Sequence, residues 1–223
     1  MKISLLNPNS SKAVSATMAE AVADMAKVAG CAIDVATLAV APIGIESDAD
    51  VAFVTPLVAD FVKATSADAY VIGCFSDPGV VLARQVTASP VIGIGEAAYR
   101  EASAEGRAFG VVSLGPASVA RHKQAINDFG LSKFLVADLP INLSVAEANS
   151  DEAAQEEIFH VGMQLTRQGA GALVLACAGM AHHCAVLEKK LGCPVIDPVQ
   201  AGVRAAFSSL DIKLKLLPSI AAE

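Results

Sequence analysis

GCFSDPG, residues 73–79, and its echo LACAGM, residues 175–180, decide how this chain folds. In each, an apolar β-type run, AYVIG (69–73) or ALVLA (172–176), leads to a cysteine, and small or helix-starting residues follow at once. Such a cysteine sits at the C-terminal end of a strand. In an open parallel α/β sheet that edge binds ligands, because the following helices point unpaired N–H groups and the positive ends of their dipoles at it.

Outward from these two stretches, strand-like runs alternate with amphipathic or Ala-rich helical ones. The first half reads as ISLL (3–6), a helix over 11–29, AIDVAT (32–37), a loop through 48, a helix to about 65, AYVIG, a helix starting near Asp77, PVIGI (90–94) and a helix over 95–104. The second half repeats the scheme. It reads as FGVVSL (109–114), a helix over 116–129, SKFLVAD (132–138), a loop to 149, a helix opened by Ser150 and Asp151 and closed at Gly169, ALVLA, a helix, PVIDP (194–198) and a last helix from about Val199. Alternation of this kind predicts parallel sheets with right-handed crossovers.

The halves also match in detail. Cys74 and Cys177 lie 103 positions apart, the two PVI triplets 104, and Asn7 and Ser113, each near the end of its half's first strand, 106. That spacing indicates an internal duplication. The predicted fold is α/β: two pseudo-symmetric open parallel-sheet (βα) halves, residues 1–102 and 103–206, with the active site in the cleft between them. The tail, about 207–223, is expected to pack on the first half, its IKLKLL (212–217) alternating as an edge strand does. A single long Rossmann-like sheet carrying two unrelated cysteines is the other arrangement the pattern allows.

Composition narrows the partners. The 223 residues are 54% apolar and 17% charged, without Trp, which suits buried parallel strands under Ala-rich helices. A formal charge of −7 and no basic patch argue against nucleic acid and anionic membranes, leaving a small-molecule substrate. MKISLLNPNSS meets a polar turn too early for a signal segment, and no apolar run approaches the roughly 20 residues that span a bilayer. A cytoplasmic location is therefore expected, with all five cysteines as free thiols and no CxxC spacing among them. The expected assembly is a homo-oligomer.

Two thiols facing one carbon acid make a two-base device: a thiolate removes the α-proton and the opposite thiol returns one to the other face. A helix N-terminus can bring a cysteine pKa down from about 8.5 toward neutrality. Ser76 or Asp77 is expected to cap the next helix with Pro78 at its first position, aiming that terminus at Cys74. Ala178 and Gly179 leave backbone N–H groups for a ligand oxygen or an enolate-like charge. Asn7, in the NPNSS turn, and its counterpart Ser113 are expected at the same edge as hydrogen-bonding partners of the ligand, with Ser76, Ser10 and Asn9 as weaker candidates.

NPNSS (7–11), IES (45–47), GCFSDPG, PVIGIGEAA (90–98) and ACAGM (176–180) together resemble the hydantoin and allantoin racemase branch of the aspartate/glutamate racemase superfamily. The resemblance runs the length of the chain. It implies a cofactor-independent racemase of two pseudo-symmetric halves, with Cys74 and Cys177 as the catalytic pair and Phe75 and Ser76 beside the substrate. The superfamily's amino-acid racemases tend to follow their cysteines with Asn-Thr and Thr-His, which are absent here, so a cyclic ureide, a 5-substituted hydantoin or allantoin, is the implied substrate. Departures are Ser76, where the branch commonly has Gly, and His182-His183-Cys184 after the second motif. Other chemistries open to the scaffold are an aspartate/glutamate-type racemase, a maleate-type isomerase, an arylmalonate-type decarboxylase and a non-catalytic small-molecule sensor.

Plainer readings apply elsewhere. Cys31 and Cys193 precede strands and read as packing residues. His182, His183 and Cys184 are expected on a helix surface or pocket rim rather than on zinc, since adjacent histidines face different sides of a helix and no second cluster completes a tetrahedral set. Glu46 either faces the cleft or is solvated. GIGEA (93–97) lacks the full GxGxxG, which excludes a dinucleotide. No strand-end lysine suits pyridoxal phosphate, and no cofactor is expected.

Overall fold

A computed structural model describes residues 1–149 and 153–212. The first half runs β1 (Lys2–Asn7), α1 (Lys12–Ala29), β2 (Ala32–Thr37), α2 (Asp48–Ala64), β3 (Ala69–Ile72), α3 (Val80–Ala83), β4 (Val91–Gly93) and α4 (Ile94–Ala102). The second runs β5 (Phe109–Ser113), α5 (Pro116–Asp128), β6 (Leu135–Pro140), α6 (Val145–Ala148), α7 (Ala153–Arg167), β7 (Ala172–Leu175), α8 (Cys184–Leu191), β8 (Val195–Ile196) and α9 (Pro198–Ser209). Two four-stranded parallel sheets result, ordered β2-β1-β3-β4 and β6-β5-β7-β8. The same permutation in both halves gives the predicted pseudo-symmetry, and a single continuous sheet is thereby excluded. β1 and β5 are central, so Leu6 pairs with Ile72 and Val112 with Leu175 in equivalent registers.

Local chemistry accounts for most boundaries. Ser11 caps α1 by accepting from the Val14 N–H at 3.3 Å, and Gly30 ends it in the left-handed region. Val14, Met18 and Val22, at helical spacing, face the core. Ser47 and Asp50 make a reciprocal capping box at the start of α2.

Three expectations need correction. No helix starts at Asp77: its φ of 48° breaks the helical path, and α3 is a four-residue turn from Val80. β6 begins at Leu135, because Ser132–Phe134 close into a 3-10 turn. After Cys177 the chain first winds as a 3-10 segment, Ala178–His183, before α8. The Ser150 and Asp151 helix start and the 212–217 edge strand lie, from Leu214 onward in the latter, outside the described residues, as does Lys213. Gly169, φ +100°, follows α7 as expected of a helix stop. Among the described residues no helix is long and apolar enough to cross a membrane.

The last helix of each half covers the other half's sheet. Ala98, Tyr99 and Ala102 of α4 are buried with Phe109, Val111, Ala172 and Val174 of the second sheet. Val199, Val203 and Phe207 of α9 are buried with Ile3, Leu5 and Val71 of the first. The two helices cross where Gly202 faces Ile94, and Arg204 holds Glu101 through two hydrogen bonds of 2.7 and 2.9 Å.

A Cβ on Gly202 would stand 2.8 Å from Ile94 Cγ2 and 2.9 Å from Val71 Cγ1. Gly202→Val should therefore overpack this crossing and lower unfolding free energy by about 2 kcal/mol. Urea unfolding monitored by circular dichroism reads this directly, and an unchanged midpoint would contradict the exchange.

Candidate active site

β3 and β7 occupy corresponding places in the two sheets, and each delivers its cysteine two residues beyond its last residue, at the C-terminal edge. The turns that follow are alike. Asp77 N–H donates to the Cys74 carbonyl at 2.9 Å and Met180 N–H to the Cys177 carbonyl at 3.1 Å, so both chains fold back over three residues. Within these turns the Ser76 N–H reaches the Cys74 sulfur and the Gly179 N–H the Cys177 sulfur. Both thiols line one narrow cleft, together with Phe75, Ser76 and Ala178. Its remaining wall includes Asn9, Ile45, Leu114, Ser118, His122 and Val145.

Burial dominates the electrostatics of the pair. Desolvation pushes Cys74 up to about 12, against the Ser76 N–H and Arg121, with Cys177 and Asp77 adding to the rise. Desolvation likewise takes Cys177 up to about 11, with Glu46 adding and the Gly179 N–H opposing. The expectation of cysteines brought toward neutrality by helix N-termini is thus corrected. No long helix starts at either sulfur, and one N–H on each does not offset the loss of water.

Nor does Ser76 or Asp77 cap the helix that follows Cys74. Asp77 reaches past it and accepts from the Gly95 N–H at 2.8 Å and the Glu96 N–H at 2.7 Å, at the start of α4. In the second half the corresponding helix, α9, is capped by Asp197, the residue equivalent to Gly93, which accepts from Val199 N–H at 2.8 Å. Gly93 is therefore a matter of room: a Cβ there would lie 2.3 Å from the Asp77 carboxyl carbon. Burial raises Asp77 to about 7 and Asp197 to about 6, in each case against the helix N–H groups.

Asn7 and Ser113 are both fully buried at equivalent strand ends, and neither lines the cleft. Each instead fixes a residue that does. Asn7 Nδ2 donates to Asn9 Oδ1 at 2.9 Å, to the Ser11 carbonyl at 3.0 Å and to Ser15 Oγ at 3.0 Å. Asn9 Oδ1 also accepts from Ser11 N–H, which leaves its Nδ2 as a donor toward the cleft. Ser113 donates to Asp138 Oδ1, and His122 Nδ1 lies 2.9 Å from both Ser113 Oγ and Asp138 Oδ2. A carboxylate only accepts, so Nδ1–H points to Asp138 and the rest of the imidazole is held against the cleft wall. Phe75 packs edge-on to that ring at 4.9 Å between centroids. Gly179 acts through its N–H and does not line the cleft. Ser10 lies outside the cleft lining as well.

His122 is the residue that sequence reasoning missed. It shares the buried face of α5 with Ser118 and Ile126 at i, i+4 spacing, and a histidine inside such a stripe is the signal that could have marked it. Glu46 is exposed, and its Oε1 accepts from the Val145 N–H across the cleft at 2.8 Å. Arg121 adds a second bridge to the same loop, 2.8 Å to Asp48 Oδ1 and 3.2 Å to the Glu46 carbonyl. His182 and His183 do not diverge: their ring centroids lie 3.8 Å apart. His183 is fully buried beneath α6, its Nε2 3.3 Å from the Ala148 carbonyl, and is no rim residue. Among the described residues no group of three or more His, Cys, Asp or Glu is placed to hold a metal ion.

Comparison with known proteins agrees with this architecture over nearly the whole chain. A hydantoin racemase of Rhizobium meliloti is 36% identical over 94% of this chain and 89% of its own length. A hydantoin racemase of Paenarthrobacter aurescens is 35% identical, over 93% and 90% respectively. Among solved structures, the allantoin racemase from Klebsiella pneumoniae superposes with a TM-score of 0.87 at 30% identity, covering 96% of this chain and 90% of that one. The family model described as Asp/Glu/Hydantoin racemase matches residues 3–206, and with two curated relatives above 30% identity across almost the full length, the chain belongs to that family.

Proposed function

We propose that this racemase inverts the C5 stereocentre of a hydantoin-like cyclic ureide, a 5-substituted hydantoin or allantoin, with Cys74 and Cys177 as its two bases. The observation that carries the reading is the pseudo-symmetric pair of thiols opening on one cleft from equivalent strand ends. The names of the relatives support the substrate class.

In the proposed reaction one sulfur is a thiolate and the other a thiol. The thiolate takes the C5 proton, and the electron pair of the broken C–H bond moves into the adjacent ring carbonyl to give an enolate. The opposite thiol then protonates C5 from the other face, and the two sulfurs end with their protonation states exchanged. No further reactant is needed. Ser76 and Gly179 N–H groups stabilise whichever sulfur is charged, and Asn9 Nδ2 is suited to a ring carbonyl oxygen.

In deuterated water, Cys74→Ser and Cys177→Ser should each reduce racemisation by at least about 10³-fold, since a serine hydroxyl is a far weaker acid than a thiol. One-sided exchange at C5 of a single enantiomer, read by proton NMR, is expected to survive in one or both. Full turnover by either variant would defeat the two-thiol scheme. With the wild type, kcat/KM should climb with pH from 7 to beyond 9, by up to about tenfold per unit, because both thiols are raised and the thiolate fraction is limiting. A plateau beginning near pH 7 would show that burial does not hold the first thiol to ionise above neutrality.

A further inference from the structure

The group that caps α4 comes from an unusual place. In the second half, Asp197 directly precedes α9 and accepts from the N–H groups of Val199 and Gln200 at 2.8 and 3.4 Å, as a helix cap ordinarily does. The corresponding N–H groups of the first half belong to Gly95 and Glu96, and the position equivalent to Asp197 is Gly93. Asp77, from the turn after Cys74, accepts from both. Gly93 and Asp197 share an extended backbone, with φ of −88° and −78° and ψ of 135° and 116°, so the main chain there would allow a local aspartate cap. What prevents it is the Asp77 carboxyl itself, which fills the space that a side chain on Gly93 would need.

The displaced cap joins parts that a local one would leave separate. Phe75, next to Cys74, packs edge-on to Tyr99 of α4 at 5.1 Å between centroids. A Cβ on Gly95 would collide with the Phe75 carbonyl oxygen, so the thiol loop sits directly on the first turn of the helix. The same helix buries Ala98, Tyr99 and Ala102 with Ala172, Val174 and Ala176, the run that leads to Cys177. A packed path from one sulfur to the other therefore runs through Asp77 and α4. Two bases on opposite faces of one carbon need a fixed spacing, because misplacement by about 1 Å can cost on the order of 100-fold in rate.

We infer that Asp77 is a positioning residue of the racemase: by capping α4 from the Cys74 loop, it sets the spacing of the two thiols. It acts through Cys74 and does not line the thiol cleft. The inference rests on the reading of Cys74 and Cys177 as the two bases. It separates two roles of one carboxylate, stabilising a helix and holding a base in place, which the second half shows can be divided.

The test follows racemisation of 5-benzylhydantoin, 5-methylhydantoin and allantoin at about pH 8, where the Asp77 carboxyl, raised to about 7 by burial, is ionised. Asp77→Gly suits the left-handed backbone and clears the space beside Gly93. It should lower the urea midpoint, as loss of a cap does, and lower kcat by about tenfold or more. Adding Gly93→Asp supplies a local cap of the Asp197 kind. The midpoint should then return to the wild-type value, while kcat stays down by about tenfold or more and KM remains within about threefold. Recovery of kcat along with the midpoint would mean that Asp77 is only a cap, and would overturn the inference. If the midpoint does not recover, Asp77→Asn decides: its amide keeps one acceptor oxygen but turns a donor toward the second N–H. Folded by circular dichroism, that variant should show the same loss in kcat with KM within about threefold. An unchanged kcat, or a loss confined to KM, would overturn the inference and leave the racemase reading intact. A wild type inert on all three compounds, or full turnover by Cys74→Ser, would overturn the two-thiol reading as well.

Discussion

The Asp77 carboxylate, seated on the Gly95 and Glu96 N–H groups, is the constraint from which the rest of the site follows. It ties the loop that carries Cys74, in the first half, to the first turn of α4, a helix whose apolar face is buried in the second half. The position of one thiol is thereby fixed relative to the sheet that carries the other. Asp197 caps the equivalent helix from within its own segment, so the second half lacks this tie. The duplication is exact in topology and deliberately unequal here. Asp77 adopts a left-handed backbone, unusual for a residue with a side chain, in order to reach across.

Much of the fold was legible because alternation has only one common solution. Short apolar runs such as AIDVAT and ALVLA, separated by helical stretches with clear caps, predict parallel strands whether or not their neighbours are known. The duplication then predicted one arrangement for both halves, while the strand order, with β1 and β5 central, came from the structure. What stayed hidden was any feature depending on which side of an element the partner lies. GCFSDPG contains Ser, Asp and Pro in an order that locally suits a helix start, yet the carboxylate is used eighteen residues away, and Gly93 shows why only in three dimensions. The exchange of α4 and α9 has no sequence signature either, since an amphipathic helix shows which face is apolar but not whose core receives it.

The same distinction separates the site residues. Cys74 and Cys177 were marked by position and repetition, and Phe75, Ser76 and Ala178 came with them into the cleft lining. Asn7 and Ser113 were correctly placed at strand ends but face inward, where an amide or hydroxyl fully enclosed in the core must satisfy its own hydrogen bonds first. They hold Asn9 and His122, which meet the cleft in their stead. The thiols' pKa values could not be read from sequence, because desolvation is a property of the assembled pocket and here outweighs the one N–H that each turn supplies.

The crossed helices also bear on how such a chain arose. A lone half would leave its sheet without the helix that covers it and its own closing helix with an unburied apolar face. Two copies could satisfy each other reciprocally, each lending its terminal helix, as in a swapped dimer. Joining the copies in one polypeptide turns that mutual loan into an intramolecular contact, whose effective concentration no longer depends on how much protein is present. Once fused, the copies were free to diverge, and a paired cleft could acquire one face that differs from the other.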